Sequence, residues 1–233
     1  MTPTYRLHYA PDNASLVIRL ALLELGQPFD TLLIDRRQRQ QDSKGYRQLN
    51  PNGLIPVLET PDGPIFETAA ILLWLADRHG ALAPAPNSTG RAPFLKWLFF
   101  ASNTLHADLR QLFYAEKYIG PDADLQQSLR TGMTRRLDTH LRNLDYAAGT
   151  DWLGGDSPSV LDLYLACQMR WMALYPAQHD RSWFNLDQYP ALQAILVRLE
   201  TRPSVHHAQE AEGLGPTPFT HPIHPTPPEG SAT

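Results

Sequence analysis

The sequence predicts two domains of different class, a mixed α/β unit followed by an all-helical one. Short β-like runs alternate with helical ones through the first eighty residues, whereas beyond Arg91 the apolar spacing is almost wholly helical. Between them lies GALAPAPNSTGR, residues 80–91, whose Gly, Pro, Asn and Ser break both patterns. The expected organisation is residues 1–82 as the first domain, 83–90 as linker, 91–212 as the helical domain and 213–233 as a Pro-rich tail.

In the first domain Tyr5 to Tyr9 reads as a strand. Ser15 to Leu25 reads as a helix: it is too long for an ordinary strand, rich in Leu, and stopped by Gly26 where a left-handed residue is favoured. Phe29 to Ile34 is a second strand. After a polar stretch of weak helical character, Ile55 to Glu59 and Ile65 to Phe66 flank Thr60-Pro-Asp-Gly63, a hairpin signal. Ala69 to His79 is then a helix ending at Gly80. The order β-α-β followed by ββα requires one mixed sheet, a parallel pair with a crossover helix plus an antiparallel hairpin.

In the second domain Phe94 to Tyr114 carries Leu95, Leu98, Phe99, Leu105, Leu109, Leu112 and Phe113 at helical spacing. Leu125, Leu129, Met133, Leu137, Leu141 and Leu144 draw one further stripe. Ser159 and Asp162 form a capping-box pattern ahead of an apolar helix through Cys167 to Trp171. Another helix runs from Pro190 to Glu200 and ends before Pro203. From Gly213 onward six prolines and no apolar periodicity predict an extended, mobile tail.

Composition narrows the function. With 42% hydrophobic and 19% charged residues in 233, the chain can bury a sizeable core unaided, which excludes a disordered protein. Twenty Lys+Arg against 24 Asp+Glu, net charge -4, with no basic block, argue against nucleic acid as a partner. The lone Cys167 cannot form an intramolecular disulfide, no leader pattern opens the sequence, and no apolar run approaches the ~20 residues of a membrane span. A cytoplasmic protein without membrane contact is expected. The paired histidines His206-His207, and His221 with His224, lack an accompanying Cys or acidic cluster, so no metal is expected.

Three local features carry chemistry. Pro56 opens a strand, the position where a sheet tolerates proline; Ile55-Pro56 is either an ordinary trans bond or a cis bond that offers the Ile55 backbone to an extended peptide. Glu67-Thr68 precedes a helix. Either Thr68 is simply its cap, or the helix end and Thr68 hold a carboxylate while Glu67 holds an ammonium group. The turn Tyr9-Ala-Pro-Asp-Asn13-Ala-Ser15 leads into the first helix. There Ser15 is either a helix-start serine or a hydroxyl at an anion site able to lower a thiol pKa.

Taken together, YRLHYAPDNASLVIRLALLELG, NPNGLIPVLE, FETAAILLWLAD and SPSVLDLYLA resemble a cytosolic glutathione transferase over residues 5 to about 212. The resemblance implies a thioredoxin-like N-terminal domain with cis-proline at Pro56, an all-helical glutathione-transferase C-terminal domain, and a homodimer. It implies glutathione as co-substrate, extended along Ile55 and Pro56, with its γ-glutamyl end on Glu67 and Thr68. Arg39 matches a basic position that contacts the glycine end in some members. WLFFASNTLHADLRQLF is most similar to the bacterial beta class, whose active-site histidine corresponds to His106. A small hydrophobic electrophile is expected against Trp97, Phe100 and His106. Two departures matter: Ala14 stands where the beta class has cysteine, and Ala107 where it has lysine. Without the cysteine, thiolate stabilisation is expected from Ser15, then Asn13, then Tyr9. The implied activity is conjugation of glutathione or reduction of a peroxide. The alternatives are a non-catalytic carrier or scaffold and a specialised isomerase, dehalogenase or ether-cleaving enzyme.

Overall fold

The computed structural model describes residues 5–232. Its first domain is a four-stranded sheet of order β2-β1-β3-β4, built from β1 (Tyr5–Tyr9), β2 (Phe29–Leu33), β3 (Val57–Thr60) and β4 (Gly63–Phe66). β1 runs parallel to β2, with Tyr5 opposite Phe29 and Tyr9 opposite Leu33, and antiparallel to β3. A parallel pair needs a crossover, and α1 (Ser15–Glu24) supplies it. Gly26, at φ +61, takes the left-handed conformation just past its end. The short α2 (Lys44–Leu49) precedes the hairpin, and α3 (Thr68–His79) follows it and ends on Gly80.

The second domain comprises α4 (Arg91–Phe100), a π-helical turn (Ala101–Leu105), α5 (His106–Phe113), α6 (Ala115–Ile119), α7 (Ala123–Ala147), α8 (Val160–Leu174), α9 (Pro190–Glu200) and α10 (Pro203–Glu212). The helix expected over 94–114 is thus α4, the π turn and α5. α10 was not legible, because Pro203 reads as a stop to α9; it is also the first residue of α10, where a missing N–H costs nothing. α8 opens on the expected capping box. Ser159 Oγ accepts from Leu161 N and Asp162 N at 3.1 and 3.3 Å, and Asp162 Oδ2 accepts from Ser159 N at 2.7 Å. All of α8 except Ala173 is buried, including Gln168 and Arg170.

α1 joins the two halves. It packs on β1 and α3 from its own domain and on α8 and α10 from the other. Eight of its ten residues are accordingly buried, one of them Arg19, which pairs with the fully buried Glu212 of α10 at 2.7 Å.

The tail corrects the sequence expectation. Residues 213–232 contain no helix or strand, yet Leu214 and Phe219 are buried. Glu200 accepts from Phe219 N, Thr220 N and Thr220 Oγ1 at 2.7, 2.8 and 2.8 Å, and Arg170 donates to the carbonyls of Leu214, Pro218 and Ile223 at 3.2, 2.9 and 3.0 Å. The chain then returns to the first domain. There the Tyr9 hydroxyl donates to Glu229 at 2.5 Å, and Arg36 donates to the Ala232 carbonyl. Gly230, at φ +74, lies so close to the first domain that a Cβ would stand 2.6 Å from Leu33 Cδ1, so a larger residue would both take a strained backbone and displace that side chain. The tail is therefore an ordered strap, held by side chains of distant elements rather than by any periodicity of its own.

Truncation after Gly215 is expected to destabilise the protein by roughly 3 kcal/mol, since buried donors of Arg170 lose their acceptors at ~1–3 kcal/mol each. In thermal unfolding that is a fall of about 6–12 °C. An unchanged Tm in the truncated chain contradicts the strap.

Candidate functional site

The site begins where β1 ends. Residues 10–14 turn the chain into α1, with Asp12 at φ +47, a left-handed conformation that Asp tolerates better than most residues. Asp12 is buried and accepts from Arg170 Nε and Nη2 at 2.9 and 3.1 Å, Trp171 Nε1 at 3.1 Å and the Tyr175 hydroxyl at 2.7 Å. Its own N–H donates to Glu212 at 2.8 Å. This carboxylate is therefore an anchor for the turn, with its lone pairs committed to donors of the second domain.

The three residues expected to stabilise a thiolate separate sharply. Ser15 is fully buried; its hydroxyl donates to the Ala10 carbonyl at 3.0 Å and accepts from Ala10 N at 3.2 Å, which closes the turn. The expectation that it faces the helix end is corrected, because α1 is buried on nearly every side. Tyr9 is buried beneath the strap, and burial, reinforced by the hydrogen bond to Glu229, raises its hydroxyl pKa above the usual tyrosine value. Asn13 alone reaches the cleft between the domains. Its side-chain carbonyl accepts from Ala14 N at 2.8 Å, which leaves its NH₂ group as a donor at this corner.

The Ile55-Pro56 bond is cis. The loop before it is fixed by two donors to the Leu54 carbonyl, the Tyr46 hydroxyl and Asn50 Nδ2, both at 2.8 Å. Glu67 stands at φ +72 immediately before α3, an unusual conformation for a residue with a Cβ, and Thr68 behind it is buried. Ile55, Pro56, Glu67 and Thr68 line the same cleft as Asn13. Arg39 does not: its side chain is exposed and pairs with Asp42 at 2.9 Å. On the same loop Arg36 and Gln41 reach the cleft instead.

The opposite wall comes from α5 and α8. His106 lines the cleft, hydrogen-bonded through Nδ1 to the Tyr164 hydroxyl at 2.7 Å, with the Trp171 ring centroid 5.6 Å away. Desolvation, helped by the charge of Arg110, pushes its pKa down to about 4. Trp97 and Phe100 do not join it. They pack on each other at 5.1 Å, and Phe100 packs on His140 of α7 at 5.2 Å. Trp97 and Phe100 stand on α4, before the π-helical turn, and His106 stands after it, and of the three only His106 lines the cleft. Aromatic lining comes instead from Phe113, Tyr164, Trp171 and Tyr175. Trp171 lies in the apolar run that the sequence marked as a core helix, and the signal it hid was Arg170, a charge that cannot be buried there without a partner. Cys167, the only cysteine of the sequence, is buried in α8, and desolvation raises its thiol pKa well above the ordinary value.

These walls enclose a cleft of about 660 Å³ between a four-stranded mixed sheet with its cis-proline loop and an all-helical bundle. Fold and cleft together define a two-domain protein, a thioredoxin-like first domain followed by an all-helical one, with a cleft between them. Residues 14–78 match the model of the glutathione S-transferase N-terminal domain, and residues 126–198 that of the glutathione S-transferase C-terminal domain. The chain is 29% identical over 217 residues to glutathione S-transferase GST-4.5 of Xanthomonas campestris pv. campestris, spanning 90% of this chain and 99% of that one. It is 30% identical to a sphingomonad glutathione S-transferase solved in complex with glutathione, with a TM-score of 0.73 over 90% of this chain and 100% of the other. A beta-class glutathione S-transferase of Sphingomonas chungbukensis is 28% identical, with a TM-score of 0.71 over 89% and 98% of the two chains. The chain belongs to the glutathione S-transferase family.

The lowered pKa of His106 has a consequence for stability. Between about pH 6.5 and pH 4 the unfolded chain binds a proton at this residue and the folded chain does not, so stability falls as pH drops through that window. His106→Gln is expected to flatten part of this fall, read as Tm between about pH 7 and pH 4.5. An identical slope in the variant contradicts a desolvated, neutral imidazole at this position.

Proposed function

We propose that this chain is a transferase that binds glutathione, lowers its thiol pKa and directs the thiolate onto an electrophilic carbon or a peroxide. One observation carries the reading: Asn13, the cis Ile55-Pro56 bond and the Glu67-Thr68 pair line one cleft, with His106 across from them. Glutathione lies extended along Ile55 with its γ-glutamyl ammonium on Glu67 and its carboxylate at Thr68 and the start of α3. Its sulfur then reaches the start of α1, where the dipole and the Asn13 amide favour the anion. In conjugation the thiol proton leaves to solvent, a C–S bond forms, and the leaving group departs with its electron pair. Rate comes from the thiolate fraction and from holding the electrophile close, with no covalent enzyme intermediate. The working form is a cytoplasmic homodimer, as the family resemblance implies.

The burial of Ser15 shifts the role of thiolate donor to Asn13. One hydrogen bond to a charged sulfur is worth roughly 1.5–3 kcal/mol, about one to two pKa units. A pH titration of thiolate ultraviolet absorbance with bound glutathione tests this together with the head-group site. Asn13→Ala is expected to raise the thiol midpoint by about one to two units. Glu67→Ala is expected to weaken glutathione binding about 10- to 100-fold. Binding with a midpoint equal to that of free glutathione in the unaltered protein contradicts a transferase and supports a ligand carrier.

A further inference from the structure

The two halves of the cleft differ in charge. Beyond His106, where the electrophile is placed, Arg36, Arg110, Lys117 and Arg130 come from four different elements to line it. None of the four forms an ion pair among the described residues. Their contacts are neutral. Arg36 donates to the Ala232 carbonyl and to the Tyr114 hydroxyl, the latter at 3.2 Å, while Arg110 reaches the Tyr118 hydroxyl only at 3.5 Å. Lys117 lies over the Tyr114 ring at 4.5 Å. Arg130 touches Gln126 Oε1 at 3.4 Å, and its Nε is shut off from solvent with no partner at all.

The acidic residues of the cleft do not neutralise these cations. Asp12 is committed to Arg170, Trp171 and Tyr175, Glu67 belongs to the glutathione half, and only the exposed Glu116 remains beside the four cations. A chain of net charge -4 thus gathers an excess of positive charge around its cleft, from both domains. Like charges in a concave, partly desolvated site repel one another and focus a field, and an anionic ligand relieves both costs. Phe113 and Tyr175, whose ring centroids are 6.3 Å apart, and Trp171 supply aromatic faces in the same cleft.

We infer that the acceptor half of the cleft binds a carboxylate-bearing ligand, an aromatic acid held by Arg110 and Arg130. This rests on the glutathione-binding reading above and names its second substrate class. The Arg110 charge is also felt at His106, whose pKa it lowers after desolvation, so the guanidinium lies near the His106 side of the cleft.

The test uses a chlorodinitrobenzoate and its methyl ester as electrophiles. The glutathione thiolate forms the C–S bond to the ring, chloride leaves, and no oxidant or reductant is involved. The intact protein is expected to favour the acid over the ester at least tenfold in kcat/KM. Arg110→Gln with Arg130→Gln is expected to lower that ratio at least tenfold, chiefly through KM for the acid. The S-aryl glutathione conjugates of the acid and the ester, made chemically, are measured in parallel by calorimetry, because their common glutathione part isolates the acceptor half. Tighter binding of the acid conjugate, lost in the double variant, supports the inference even if neither electrophile turns over, in which case the transferase reading alone fails. Glutathione titrated alone separates the sources of the anion: two molecules per chain, falling to one in the double variant, identify a second glutathione carboxylate as the ligand. Equal binding of acid and ester conjugates by the intact protein overturns the inference.

Discussion

A guanidinium buried without water must find an acceptor for every N–H, and Arg170 does. Its five donors go to both oxygens of Asp12 and to the carbonyls of Leu214, Pro218 and Ile223, and its side chain is wholly inaccessible. Asp12 in turn accepts from Trp171 and Tyr175 as well. Such a pair does not earn its place by stability, since an apolar replacement often does as well; removing one partner, however, costs about 3–5 kcal/mol. What it fixes is arrangement. One side chain of α8 holds the turn of the first domain, its own helix and the strap together.

The candidate site depends on that arrangement. Asn13 and Ala14 stand at the cleft because Asp12, one residue earlier, is pinned to the second domain in a left-handed conformation. The Arg19–Glu212 pair beneath it, with Glu212 also accepting from Asp12 N, ties α1 to α10. Trp171 and Tyr175 serve twice, donating to Asp12 and lining the cleft. The strap closes the circuit by placing Ala232 on the cleft wall beside Arg36. Cleft-lining and load-carrying residues therefore belong to one polar network, and a change at either end is felt at the other.

The sequence made visible what is local. The mixed sheet, the capping box at Ser159 and Asp162, the Gly26 stop and the Pro190 start each rest on neighbouring residues, and each stands in the structure. The cis-proline loop and the Glu67-Thr68 pair were legible as motifs, and the fold brings them into one cleft. The rest depended on contacts across the chain. Ser15 looked available because nothing in its neighbourhood shows that α1 is enclosed by four elements. Arg39 and Arg36 sit three residues apart in one polar loop, and only the path of that loop decides which reaches the cleft. Trp97 and Phe100 shared a segment with His106 but not the cleft. The order of the Pro-rich strap was invisible, because the side chains that hold it lie far away in sequence, on α8, α9 and the first domain.

The most direct test of this account is amide hydrogen exchange in Arg170→Lys, which keeps the charge but removes the fork that serves Asp12 and the strap at once. Protection of residues 10–16 and of residues 214–224 is predicted to fall together while the β-sheet and the core of α7 keep theirs. Loss of protection in the strap alone, with the turn before α1 as protected as in the unaltered protein, would contradict the claim that this buried pair sets the site.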